Sequence, residues 1–388
     1  MTLPIPDVDS WGAELRILHQ RISTHFHRQE PRERTLAYLQ GLLATIPRKN
    51  GWQLAEQVGE MTPDGVQRLL NAAKWDADRV RDDLSGYALA HLGSENAIWV
   101  LDETGFLKKG DKSAGVQRQY SGTAGKIDNC QIGVFLYHWS PGHQAGAFLG
   151  RELYLPKSWT DDRARCEEAG ISKGVRFKTK GQLAKDMLKQ AFKTNDRPAW
   201  VTGDTIYGSD RRLRVFLEGA CQPFVLTIKS NESLWVMSPD GNGPRQVRAE
   251  RVSSWLAKEA FVHLGVGQGS KGERADDWAL VPLARLLSKD EPFRHLLLVK
   301  RNLEGEFSYY VVFAPKEASL QELACVAGAR WSTEVGFEEA KGLTGLDEYE
   351  VRKYLAWYRH VTLSLLAHAF LNVVKVKARE AEKGGSRR

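Results

Sequence analysis

Over roughly residues 10–92, apolar side chains recur at three- and four-residue steps. LAYLQGLLATI (36–46) and DGVQRLLNAA (64–73) both carry this helical period. Between them, PRKNGWQLAEQVG supplies a Gly-bearing break, and Thr62-Pro63-Asp64 has the composition of a helix start, with Pro63 tolerated in the first turn. Residues 1–95 therefore predict a helical domain. Arg48, Lys49 and Arg68 would suit it to DNA; solvated charges on a packing domain are the plainer alternative.

The pattern changes near residue 96. AIWVLDETG is a short apolar run closing on Asp102, and DNCQIGVFLYHW (128–139) and QAGAFLGRELYL (144–155) read as strands. A helix is expected over 181–194. AWVTGDTIYG then repeats the first phrase, an apolar strand ending on Asp204, before a helix (209–219) and a strand (223–230). Strands and helices in this order predict a mixed α/β layer over 96–230. Residues 231–314 are polar and Gly-rich at first and end in two strands, HLLLVKR and FSYYVVFA, which predicts a β-rich insertion. Helices follow over 315–376, and 377–388 read as a basic, flexible tail. VTLSLLAHAFLNVV (361–374) is too short to span a bilayer and is interrupted by His368 and Asn372, so a buried helix and no membrane partner are expected.

Composition adds a direction. The 388 residues carry a net charge of +7, which suits a polyanionic partner. Four Cys without CxxC spacing argue against a zinc site or a disulfide framework and fit a cytoplasmic protein. No Gly-x-Gly-x-x-Gly or Walker pattern implies a nucleotide cofactor.

Three candidate acids stand out. Ligands of open α/β sheets gather beyond the carboxyl ends of strands. Adjacent parallel strands would set Asp102 beside Asp204, a pair that repels unless a cation neutralises it. The late stretch RWSTEVGFEEAK (330–341) reads as a helix, with Trp331 and Phe337 turned inward and Val335 as a third apolar candidate. Arg330, Glu334, Glu338 and Lys341 fall along one stripe, either a solvated salt-bridge ladder or the source of a third metal-holding acid; Glu339 lies off the stripe and reads as solvated. The loop at 104–126 sets Lys108, Lys109, Lys112, Arg118 and Lys126 against Asp111 alone, which suits phosphate contacts or a charged hairpin. Glu103, His138, His143 and the Asp161-Asp162 helix start read as structural. Tyr207 and Gly208 either shape a groove or form a turn, and Trp235 either packs or stacks on an exposed base.

The order Asp102, Asp204, late Glu resembles the DDE superfamily of transposases. Arg330, three residues, Glu334, six residues, Lys341 is similar to the signature of one bacterial insertion-sequence branch, whose leading Tyr is Ala327 here. DETGFLKKG, GVQRQYSGTAGK, ELYLPKSWTDDRAR and WYRHVTLSLLAHAFL extend the resemblance over roughly 30–375. The resemblance implies an RNase H-like mixed sheet flanked by helices, with an N-terminal helical domain and a β-rich insertion between the second Asp and the Glu helix. It implies Asp102, Asp204 and Glu334 as a triad holding two Mg²⁺ (or Mn²⁺) ions, and Arg330 and Lys341 as phosphate contacts. The activity implied is binding of double-stranded DNA at terminal inverted repeats, cleavage by metal-activated water, and joining of 3′-OH ends to target DNA. A homodimer on DNA, associated with the bacterial nucleoid, follows from the same resemblance. The alternative is a DNA-binding regulator derived from such an enzyme, without transposition.

Overall fold

A computed structural model describes residues 5–194, 196–238, 240–269, 272–284 and 292–385. The chain forms two compact units, one of residues 1–93, 103–179 and 335–388, the other of 94–102 and 180–334. The divisions fall inside strand β1 (Ile98–Leu107) and inside the helix Trp331–Thr344.

The second unit contains the first half of β1, β5 (Trp200–Gly203) and β6 (Phe224–Ile228), with β2 (Gln117–Ser121), β3 (Lys126–Ser140) and β4 (Ala145–Tyr154) lying earlier, in the first unit. β1, β5 and β6 are parallel neighbours, in the register Leu101↔Gly203 and Gly203↔Leu226. IWVL and WVTG are buried throughout, as expected of parallel strands covered on both faces. Helices Lys180–Ala191 and Arg211–Gly219 carry the connections, and Phe192 stacks between Trp99 and Phe216.

Among the described residues, the segment expected as a β-rich insertion carries strands that belong to the sheet itself. A β7 (Ser233–Met237) and β8 (Pro244–Arg248) hairpin stands apart, whereas β9 (Val262–Gly269), β10 (Gly272–Pro282), β11 (Phe293–Arg301) and β12 (Phe307–Pro315) continue the sheet antiparallel, β12 pairing with β6. HLLLV and YYVVFA are buried without alternation, as in strands covered on both faces. On β7 alternate residues are buried, which leaves Trp235 half-exposed rather than packed.

In the first unit, β2, β3 and β4 form an antiparallel meander. The segment expected as an N-terminal helical domain forms five helices between Ile5 and Leu92. It shares its unit with the meander and the C-terminal helix because buried polar groups join them. Arg359, 3% exposed, donates to the carbonyls of Leu70, Ala73 and Trp75, and Tyr38 bonds His360 Nδ1 at 2.7 Å. Lys49 is buried against Glu348 and the Leu343 carbonyl, so it is a tertiary anchor, not a DNA-facing cation.

The helix Tyr354–Gly385 is long and apolar enough to cross a membrane, but 78% of its apolar window is buried within the protein, as in a core helix. It runs through most of the expected loose tail; residues 386–388 lie outside the described residues. The fold is thus a mixed α/β sheet flanked by helices, of the RNase H-like class.

Candidate active site

Asp102 and Asp204 each follow directly on a paired position, Leu101↔Gly203, of adjacent parallel strands. Their side chains therefore start one strand spacing apart, about 4.8 Å. β5 ends before Asp204, as expected. β1 does not end at Asp102: it continues to Leu107, where its second half borders β3 and Lys108 N donates to Asn129 O. Asp102 thus sits mid-strand, one residue past the last pair with β5.

Asp204 is also an N-cap. Its carboxylate accepts from Ile206 N at 2.9 Å, and its carbonyl accepts from Gly208 N at 2.9 Å. Tyr207 and Gly208 form the turn and are buried. A Cβ on Gly208 would lie 1.8 Å from the carbonyl oxygen of Thr227 on β6, so only glycine lets this turn close.

Arg330 joins the acids. Its Nη1 lies 3.7 Å from Asp102 Oδ2 and its Nη2 2.7 Å from Glu334 Oε1. Burial pulls the guanidinium pKa down, but Asp102 and Glu334 outweigh it and hold it above its ordinary value. The i,i+4 ladder read from the sequence is therefore real at its first rung, and it reaches Asp102 as well. Arg274, on β10, lies alongside: Nη2 donates to Gly328 O at 2.7 Å and the guanidinium lies over the Trp331 ring at 5.8 Å. Burial, then the charge of Arg330, lowers its pKa. No sequence signal marked Arg274; its strand register brings it there.

Elsewhere on this helix Val335 and Glu339 differ from expectation. Val335 is 40% exposed, so Phe337 rather than Val335 anchors the helix, packing on Phe135 and Phe148. Glu338 is exposed. Glu339 is not solvated: it lies 3.5 Å from the buried His368 and 3.2 Å from Lys375. The hydrogen bond to His368, with Lys375 beside it, holds its carboxyl at about 2. His368 and Asn372, the polar breaks in an apolar run, were the signal that could have revealed this, since buried polar groups seek partners.

Lys341 bonds Thr104 Oγ1 at 2.9 Å and Thr123 Oγ1 at 3.2 Å, and burial lowers its pKa. Lys108 lies 3.6 Å above the Tyr349 ring and donates to Tyr349 O at 3.1 Å. Burial depresses its pKa to about 8, against the opposing charges of Asp347 and Glu350. Lys109 and Arg118 are exposed, and Lys112 makes an exposed pair with Glu168. Asp162 caps the helix Arg163–Glu168, as its sequence position suggested. His143 bonds Ser140, and burial holds the His138 pKa down at about 4.

Among the described residues, no three His, Cys, Asp or Glu side chains are grouped as a ready-made metal cage. The cation that Asp102 and Glu334 share is Arg330. The donors nevertheless fit a hard divalent ion: they are carboxylate oxygens, and they converge on a spot that already accepts positive charge.

The profile of the DDE superfamily endonucleases matches residues 21–259, more than half of the chain, and the chain belongs to that family. It is also similar to the probable transposase for insertion sequence element IS701 of Microchaete diplosiphon, 24% identical over 322 residues, which cover 81% of this chain and 75% of the relative.

Proposed function

We propose that the protein is a metal-dependent DNA transposase. It binds the inverted-repeat ends of an insertion sequence as double-stranded DNA, cleaves phosphodiester bonds there, and joins the freed 3′-OH ends to target DNA, acting as a dimer. The observation that carries the reading is the set Asp102, Asp204 and Glu334 within one unit, two of them in strand register and two sharing one guanidinium.

Asp102, Asp204 and Glu334 would hold divalent ions, Mg²⁺ or Mn²⁺. Such ions, when bound, activate the attacking water and neutralise charge on the displaced oxygen. The chain's own residues do the rest. β1, continuing past Asp102, holds it mid-strand, and the tight turn at Gly208 fixes Asp204. Arg330 and Lys341 are assigned to DNA phosphates near the reacting bond, while the exposed Lys109, Lys112 and Arg118 add phosphate contacts without base recognition. No covalent enzyme–DNA intermediate is needed, since no Ser or Tyr nucleophile takes part.

The test is incubation of the protein and of Asp204→Asn with DNA carrying the element's own ends and Mg²⁺, with products sized on a denaturing gel. Asn keeps an oxygen for the Ile206 cap, so the fold is retained while the charge is lost. End cleavage and strand joining by the parent protein, abolished in Asp204→Asn and by chelator, is the expected result. Full activity in excess chelator contradicts the proposal.

A further inference from the structure

Arg330 is placed where two acids of the site need a cation. Its contacts with Asp102 and Glu334 use the carboxylates that a divalent ion would need. All three side chains are shielded, being 35%, 13% and 38% exposed, so the attraction is less screened than on an open surface. Arg330 also has a like charge behind it. Arg274 is fixed to the end of the helix Leu320–Gly328 by its bond to the Gly328 carbonyl and lies over the Trp331 ring, next in sequence to Arg330, whose charge opposes its own. Arg274 Nε is buried and has no hydrogen-bond partner among the described residues. Two adjacent, partly desolvated guanidiniums are unfavourable unless anions compensate them. At present Asp102, Glu334 and Asp276 do so.

Resting on the reading above, we propose that Arg330 is a resident counter-ion that a divalent cation displaces, and that Arg330 so released forms with Arg274 a two-guanidinium seat for a phosphodiester. Asp102, Asp204 and Glu334 would hold the dication, whose charge would satisfy the carboxylates and repel Arg330. The displaced guanidinium and Arg274 then carry two positive charges with only Asp276 left of their former anions. A DNA phosphate, with its bidentate fit to guanidinium, replaces those anions. Metal and DNA therefore bind cooperatively through one side chain, and the phosphate seat is complete only when the metal is present.

The experiment uses full-length protein, Arg330→Gln and Arg330→Lys, with folding checked by circular dichroism. Mn²⁺ binding without DNA is followed by electron paramagnetic resonance of the free ion. Binding of a short DNA duplex is followed by fluorescence anisotropy with and without Ca²⁺, including Arg274→Gln. Removing the competing guanidinium should tighten Mn²⁺ binding about tenfold in Arg330→Gln. Arg330→Lys should fall between, because an ammonium spans two carboxylates less well than a planar fork. Ca²⁺ should strengthen DNA binding by the parent protein, and this gain should vanish in Arg330→Gln and shrink in Arg274→Gln. Mn²⁺ affinity in Arg330→Gln equal to or weaker than the parent's overturns the counter-ion role and leaves the proposed function standing. An undiminished Ca²⁺ gain in Arg274→Gln overturns the phosphate seat. Absence of Mn²⁺ binding in every form overturns the proposed function, and this inference with it.

Discussion

Replacing Glu339 by Gln removes one charge from a half-buried cluster in which His368 is fully enclosed and Lys375 is the paired cation. The Glu339 carboxyl is held at about 2 in the fold, against an ordinary value of 4.5. The folded pKa is thus depressed, so the ionised carboxylate contributes stability that is fully present above pH 4.5. That stability fades as the pH falls toward 2. At ~1.4 kcal/mol per pKa unit the difference is about 3.5 kcal/mol; screening at a side chain 26% exposed brings the expected loss to about 1–3 kcal/mol. Urea unfolding of the parent and Glu339→Gln, repeated at several pH values, measures it. The gap in stability should be constant from neutral pH down to about pH 5 and narrow below that, while DNA cleavage persists in the variant at neutral pH. A gap that does not narrow on acidification, or no loss of stability at neutral pH, refutes the reasoning.

Lys108 and Lys109 are adjacent in sequence but should behave differently. Lys109→Ala should weaken binding to all DNA sequences alike and lower the salt dependence by about one counter-ion. Lys108→Ala should instead destabilise the fold by about 1–2 kcal/mol, by losing the Tyr349 ring and carbonyl contacts, as read from denaturant midpoints. Gly208→Ala forces a methyl against the Thr227 carbonyl, so it should cost about 1–3 kcal/mol in unfolding free energy and abolish cleavage by moving Asp204. A fully active, equally stable Gly208→Ala would contradict the role given to that turn.

The parts of the molecule that follow local rules were legible before the structure. IWVLD and AWVTGD read as buried parallel strands with acids beyond them, and Leu101↔Gly203 puts them in that register. Arg330 to Glu334 follows from the helical repeat. What sequence could not supply is long-range pairing. β1 runs past Asp102 because of a neighbour some 25 residues later along the chain, and β12 extends the sheet because β6 offers it an edge. The same holds for individual charges. Lys108 looks like an exposed cation in a basic loop, yet the ring and carbonyl of Tyr349 take it up. Arg274 reaches the acids through the register of β10, which no local pattern encodes.

The central claim is that Glu334, not its neighbours on the same helix, completes the site with Asp102 and Asp204. It is tested most directly by measuring cleavage of DNA carrying the element's ends, with Mg²⁺, by Glu334→Gln and Glu338→Gln side by side, with end binding recorded for both. Glu334→Gln should bind DNA and fail to cleave it, because a neutral amide cannot replace the charge that holds a dication. Glu338→Gln, changed at an exposed position, should cleave measurably. An inactive Glu338→Gln beside an active Glu334→Gln would contradict the assignment, and two active variants would reduce the helix to an ordinary ladder of ion pairs.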